Sequence, residues 1–154
     1  MSQEDLANSL NEFYISVNED IPPLDINTLP AFLPAAEDVN TVQPYEVCKK
    51  LLAIKPSKAH GPDNVPCRIV KEFAYELAEP ITTIFNTSLL SGIVPSIWKE
   101  SNVIPIPKVQ PPKDEGDTRP ISLTPCLSKV IEDFVVTWLI EDVKKKSTQN
   151  SLVA

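Results

Sequence analysis

Residues 101–123 read SNVIPIPKVQPPKDEGDTRPISL, from Ser101 to Leu123. Pro105 and Pro107 alternate with Ile104 and Ile106, and Pro120 interrupts the second apolar run. A proline has no backbone N–H and pushes the preceding residue toward extended geometry, so this pattern excludes a helix. It predicts one or two short strands, with Lys108 and Arg119 at their edges and a polar loop of about ten residues between them. Loops of that length are uncommon in compact domains and are often working surfaces. Two cations flanking the loop suggest an anion as its ligand. Asp114, Glu115 and Asp117 offer Arg119 a local partner instead.

Downstream, Thr124-Pro125 sets a helix start, and Leu127, Val130, Ile131, Phe134, Val135, Trp138 and Leu139 follow at helical spacing. Lys144, Lys145 and Lys146 are placed at that helix's C-terminus, where positive charge complements the dipole. Upstream, Pro66 opens a helix with Ile69, Val70, Phe73 and Leu77 on one face. Pro80 then starts or kinks a second, carrying Ile81, Ile84, Phe85 and Leu89. Gly92 is its natural C-cap, and Trp98 is read as a core anchor before a base-stacking platform. Pro44 suits a first helical turn that leads into Val47, Leu51, Leu52 and Ile54 and stops before Pro56. The connector Ser57-Lys58-Ala59-His60-Gly61-Pro62-Asp63-Asn64 is rich in turn formers. Leu6, Leu10, Phe13, Tyr14 and Val17 mark one face of an amphipathic helix over 1–17. Residues 18–43 read as an acidic, proline-rich linker.

Composition sets further bounds. The chain has 154 residues, 42% of them hydrophobic, enough for a core; its 16 prolines and three glycines predict short elements joined by stiff turns. The net charge of -7 is uneven. Residues 1–48 hold nine acids and no Lys or Arg, and the rest hold twelve acids against fourteen bases. That balance excludes a generally basic nucleic-acid binder. Cys48, Cys67 and Cys126 and the lone His60 lack zinc spacing, so no metal site is expected. With no signal peptide or transmembrane segment in view, the chain is expected to be intracellular, cytoplasmic or nuclear, with no membrane contact and reduced thiols.

The segments KPSKAHGPDNVPCRIVKEFA (Lys55 to Ala74), IFNTSLLSGIVPSIWKESNVIPIPK (Ile84 to Lys108) and RPISLTPCLSKVIE (Arg119 to Glu132) occur in an order that resembles the reverse transcriptase of non-LTR retrotransposons, jockey-like or LINE-like. The resemblance covers roughly 44–146 and corresponds to the N-terminal and fingers part only; 147–154 is a divergent tail. It implies a mostly α, α+β fragment: helices plus one or two short strands of an incomplete fingers subdomain.

By position in the motif, Lys108 and Arg119 resemble the fingers residues that bind the nucleotide triphosphate. The complete enzymes transfer a nucleotide with Mg2+ held by palm carboxylates, on an RNA template and a DNA primer. The aspartate-bearing palm motifs do not occur among the 154 residues. No catalytic residue and no cofactor is therefore assigned, and a truncated, inactive RNA-directed DNA polymerase is expected. Asp117-Thr118 also stands where the family carries an aromatic before Arg-Pro-Ile-Ser, which changes the packing expected there. Two other readings remain open. One is a small helical module that binds a protein partner through its amphipathic helices. The other is a weak RNA-binding module using Lys55, Lys58, Lys108, Arg119 and Lys144 to Lys146 on the phosphate backbone, with weak or no nucleic-acid binding by the chain alone.

Overall fold

The computed structural model describes residues 2–17, 22, 25 and 39–151, with the side chains of 146–151 excepted. Most of the expected linker over 18–43 lies outside the described residues, as do residues 152–154 of the expected tail. The described chain is mostly α with a small β part. Its helices are α1 (Gln3–Ser16), α2 (Pro44–Ala53), α3 (Cys67–Glu72), α4 (Ala74–Ser91) and α5 (Cys126–Ser151). Strands β1 (Asn102–Pro107) and β2 (Thr118–Leu123) pair as a two-stranded antiparallel sheet. Two compact units divide the described residues, one of α1 with 103–122 and the other of 39–102 with 123–151.

In the second unit, Val47 and Leu51 of α2 meet Val70, Ala74, Ile81 and Phe85 of α3 and α4, and Val130, Ile131 and Phe134 of α5 close the core. Phe85 is fully buried, and Trp98 meets its ring edge-on with centroids 5.6 Å apart. Trp98 is thus a core anchor. Gln43 and Glu46 form a capping box at the start of α2, with Pro44 at its first position. The Lys71 ammonium donates to the Ile54 carbonyl at 3.1 Å, giving a partner to a group left open where α2 ends. The Asn86 amide exchanges hydrogen bonds with the N–H and C=O of Val42, at 2.8 and 3.0 Å, and so holds that residue in the core.

Three sequence expectations need correction here. The break between α3 and α4 falls at Phe73, and Pro80 sits inside α4. Its ring forfeits one helical hydrogen bond, which the burial of Ala78, Ile81 and Phe85 on the turns around it offsets. The buried face runs through Val70, Ala74, Ile81 and Phe85, whereas Ile69, Phe73 and Ile84 are exposed. Finally, Lys144, Lys145 and Lys146 lie within α5, not at its end. No Gly or Pro follows to stop the helix before Ser151, and Lys145 pairs with Asp142 one turn back at 3.9 Å. Gly92 caps α4 with φ 68, as its position indicates.

Candidate functional site: two sets of cations

The first unit carries the hairpin. An isolated two-stranded ribbon is marginal in water, and every residue of β1 is solvent-exposed. Its support comes from α1, whose Ser9 hydroxyl donates to the Glu115 carboxylate and whose Tyr14 hydroxyl meets that of Thr118 at 2.5 Å. A capping box between Ser2 and Asp5 starts that helix. The Ser2 backbone N–H and, second, its side chain hold the Asp5 carboxyl below its usual range.

The loop between the strands is closed by its own polar groups. Lys108 N–H donates to the Asp117 carbonyl at 2.7 Å, and the Lys108 ammonium reaches the Gly116 carbonyl at 2.6 Å. Asp114 accepts from Asp117 N–H at 3.1 Å, and Asp117 accepts from Lys113 N–H at 2.9 Å. The Gln110–Pro111 bond is cis.

All three loop acids are thereby engaged, by a hydroxyl or by backbone donors. Arg119 is exposed on β2, and among the described residues it takes part in no ion pair or side-chain hydrogen bond. The local partner that its sequence neighbours offered is not formed. Its five N–H donors are open to an incoming anion, and such a planar fork matches phosphate oxygens two at a time. The structure therefore keeps Lys108 and Arg119 in one unit, the first lying against the loop backbone and the second open to solvent.

The second unit gathers other lysines. Lys55 and Lys58, expected as weak backbone contacts, line a cavity of about 350 Å3 together with Lys50 and Lys129, which the sequence reading did not single out. Lys50 is bound to Asp133 and lies 5.0 Å from the centre of the Phe134 ring. Lys50 and Lys129 are 79 residues apart by their numbers, so no local periodicity could have brought them together. Lys144 and Lys145 are on α5, and the Lys146 side chain lies outside the described residues.

Cys67 and Cys126 form part of the same cavity wall, and both are free and buried. Burial first, and the neighbouring Cys67 thiol second, push the Cys126 thiol from its ordinary value of 9.0 up to about 12. The raised value means that the fold holds this proton more tightly than the unfolded chain does. The associated stability is present below pH 9 and is lost as the pH rises toward 12. We expect the urea midpoint of the wild type to fall more steeply above pH 9 than that of Cys126→Ala. Equal slopes in paired denaturation curves would contradict this.

Among the described residues no three His, Cys, Asp or Glu side chains converge closely enough to hold a metal ion. Nor, among these residues, is any helix long and apolar enough to cross a membrane. His60 lies in the connector between α2 and α3, with Nδ1 3.0 Å from the Gly61 carbonyl.

No protein-family model matches the chain. Over 104 residues, 65% of its length, it is 34% identical to the RNA-directed DNA polymerase from mobile element jockey of Drosophila melanogaster. The chain spans about 11% of that protein's length. The similarity relates it to a reverse transcriptase, and more finely drawn assignments depend on the geometry above.

Proposed function

We propose that this chain is the N-terminal and fingers part of a mobile-element RNA-directed DNA polymerase. In it Lys108 and Arg119 bind the triphosphate of the incoming nucleotide, and these 154 residues do not polymerise by themselves. The observation that carries the reading is the open Arg119 guanidinium, beside a loop whose acids are all engaged. Arginine supplies two parallel charge-assisted bonds to phosphate, whereas the Lys108 ammonium supplies a compact point charge once it leaves the Gly116 carbonyl.

Surface left bare on α5 supports the same reading. Val136, Leu139, Ile140 and Val143 are 49%, 59%, 48% and 68% exposed, an apolar strip of the kind that a larger fold covers. The RNA template and DNA primer are partners of that larger enzyme.

Sequencing the transcript through and beyond codon 154 tests the assignment. An in-frame palm with its aspartates supports it, and a translated stop at Ala154 reduces the resemblance to ancestry. In the complete enzyme, Arg119→Ala is expected to raise KM for the nucleotide by roughly 10- to 100-fold, the weight of a charge-assisted hydrogen bond of about 1.5–3 kcal/mol. Arg119→Lys is expected to recover only part of this. An unchanged KM in steady-state primer extension rules out the clamp role. Extension by the 154-residue chain alone, above a protein-free control, overturns the claim that it is inactive.

A further inference from the structure

The lysine-lined cavity of the second unit has no role in the reading above, and neither Lys108 nor Arg119 lines it. It is formed by the last turn of α2 (Lys50, Ala53), by Ile54, Lys55 and Lys58 just beyond it, by Cys67 at the start of α3, and by Cys126, Lys129, Val130 and Asp133 of α5. Its volume of about 350 Å3 is within the range of small-molecule sites.

Four ammonium groups and one carboxylate line it. Asp133 is taken by Lys50. Lys55, Lys58 and Lys129 make no ion pair among the described residues. Asp63, near enough to act on the Cys126 thiol, has a carboxylate that accepts from Val65 N–H at 3.3 Å.

Fold stability accounts for only some of these cations. Lys50 and Lys55 follow the dipole, because they stand at the C-terminal end of α2, where positive charge is favourable. Lys129 does the opposite. It is the fourth residue of α5, near the positive end of that dipole, and it faces the same cavity as the other lysines. A cation there adds like-charge repulsion to an unfavourable helix term, with no acid partner in return. A bound anion reverses the sign of both effects.

The remainder of the wall narrows the ligand. Ala53, Ile54, Val130 and the buried side chains of Cys67 and Cys126 give an apolar surface beside the ammonium groups, which suits a phosphate with an organic part better than a bare ion. We infer that this cavity binds a phosphate ester, with Lys55, Lys58 and Lys129 on its oxygens and Lys50 held by Asp133 as a fixed flank. The ester can belong to a polynucleotide backbone or to a small nucleoside phosphate. The inference stands on the second unit alone, so its failure leaves the polymerase reading untouched, and a failed transcript test leaves it standing.

The test is calorimetric titration of the full chain at about 50 mM salt with two probes, adenosine monophosphate and an oligoadenylate of about 12 nucleotides. Binding of both assigns the site to small phosphate esters, and binding of the oligomer alone assigns it to a backbone. In either case Lys55→Gln/Lys58→Gln/Lys129→Gln weakens binding by roughly tenfold or more and lowers the log–log salt slope for the oligomer by about 2. Lys99→Gln, at an exposed lysine of the same unit that does not line the cavity, leaves the affinity within about twofold. All three lysines are exposed, so the triple variant should melt with the wild type; if it does not, Lys58→Glu alone carries the comparison. Absence of binding by either probe, or binding unaffected by these lysine changes, overturns the inference.

Discussion

Phe85→Ala lowers the free energy of unfolding by about 3–5 kcal/mol. Phe85 is the largest of the fully buried side chains among the described residues. Truncation removes the transfer energy of that ring and leaves a cavity that helical neighbours cannot collapse to fill, since Leu51, Val70 and Val130 are held by their own backbones. It also removes the edge-to-face contact with Trp98, worth about 0.5–1.5 kcal/mol beyond burial. A domain of this size has about 5–15 kcal/mol in all, so the loss is a third or more of the total in most of that range. The check is a urea titration with Tyr75→Ala as control. Tyr75 is on the same helix but 75% exposed, and its loss should stay within about 0.5 kcal/mol. The expected signature is a lower midpoint at an unchanged slope. A Phe85→Ala shift no larger than that of Tyr75→Ala contradicts the core described here.

How far the sequence carried can be judged from particular residues. Pro44 marked the start of α2 because a ring without an N–H costs nothing where that N–H has no partner. Gly92 marked the end of α4 because φ 68 strains any side chain. Alternating prolines marked the extended pair of strands. Pro80 misled for a related reason. Local rules count the bond it removes, and they do not count the core that Ala78, Ile81 and Phe85 form on the turns around it. Candidate-site geometry was harder to read. Sequence neighbours favoured a partner for Arg119 in the loop, yet Ser9, from the distant α1, and the backbone N–H groups of Lys113 and Asp117 engage those acids. Lys129 carries no local mark of a binding residue. It becomes visible only when α5 is laid beside the end of α2.

Gly61→Ala is the second large effect, and it connects the turn-rich connector to the start of α5. A Cβ at position 61 would lie 2.4 Å from Pro125 N, 2.6 Å from the Thr124 carbonyl carbon and 2.8 Å from Pro125 Cα. All three are backbone atoms, so no rotamer change relieves the overlap. Either the connector or the segment entering α5 must move. Overpacking of this kind costs about 1–3 kcal/mol and occasionally more, and the absence of any yielding side chain sets the expectation at about 3 kcal/mol. The other glycines supply the scale. Gly92→Ala meets open space and costs only its left-handed backbone, about 1 kcal/mol. Gly116→Ala meets only one side-chain oxygen, of Asp114 at 3.1 Å, which has to give by a few tenths of an ångström. Urea midpoints should therefore place Gly61→Ala well below both. Because Cys126 and Lys129 follow immediately on Pro125, displacement of that segment also opens the lysine-lined cavity. Accelerated alkylation of Cys126 under native conditions is expected in the same variant, since its thiol is buried in the wild type. A Gly61→Ala protein that melts with Gly92→Ala and keeps Cys126 protected shows that the connector does not bear on α5 as described, and the close approach at Pro125 would have to be given up.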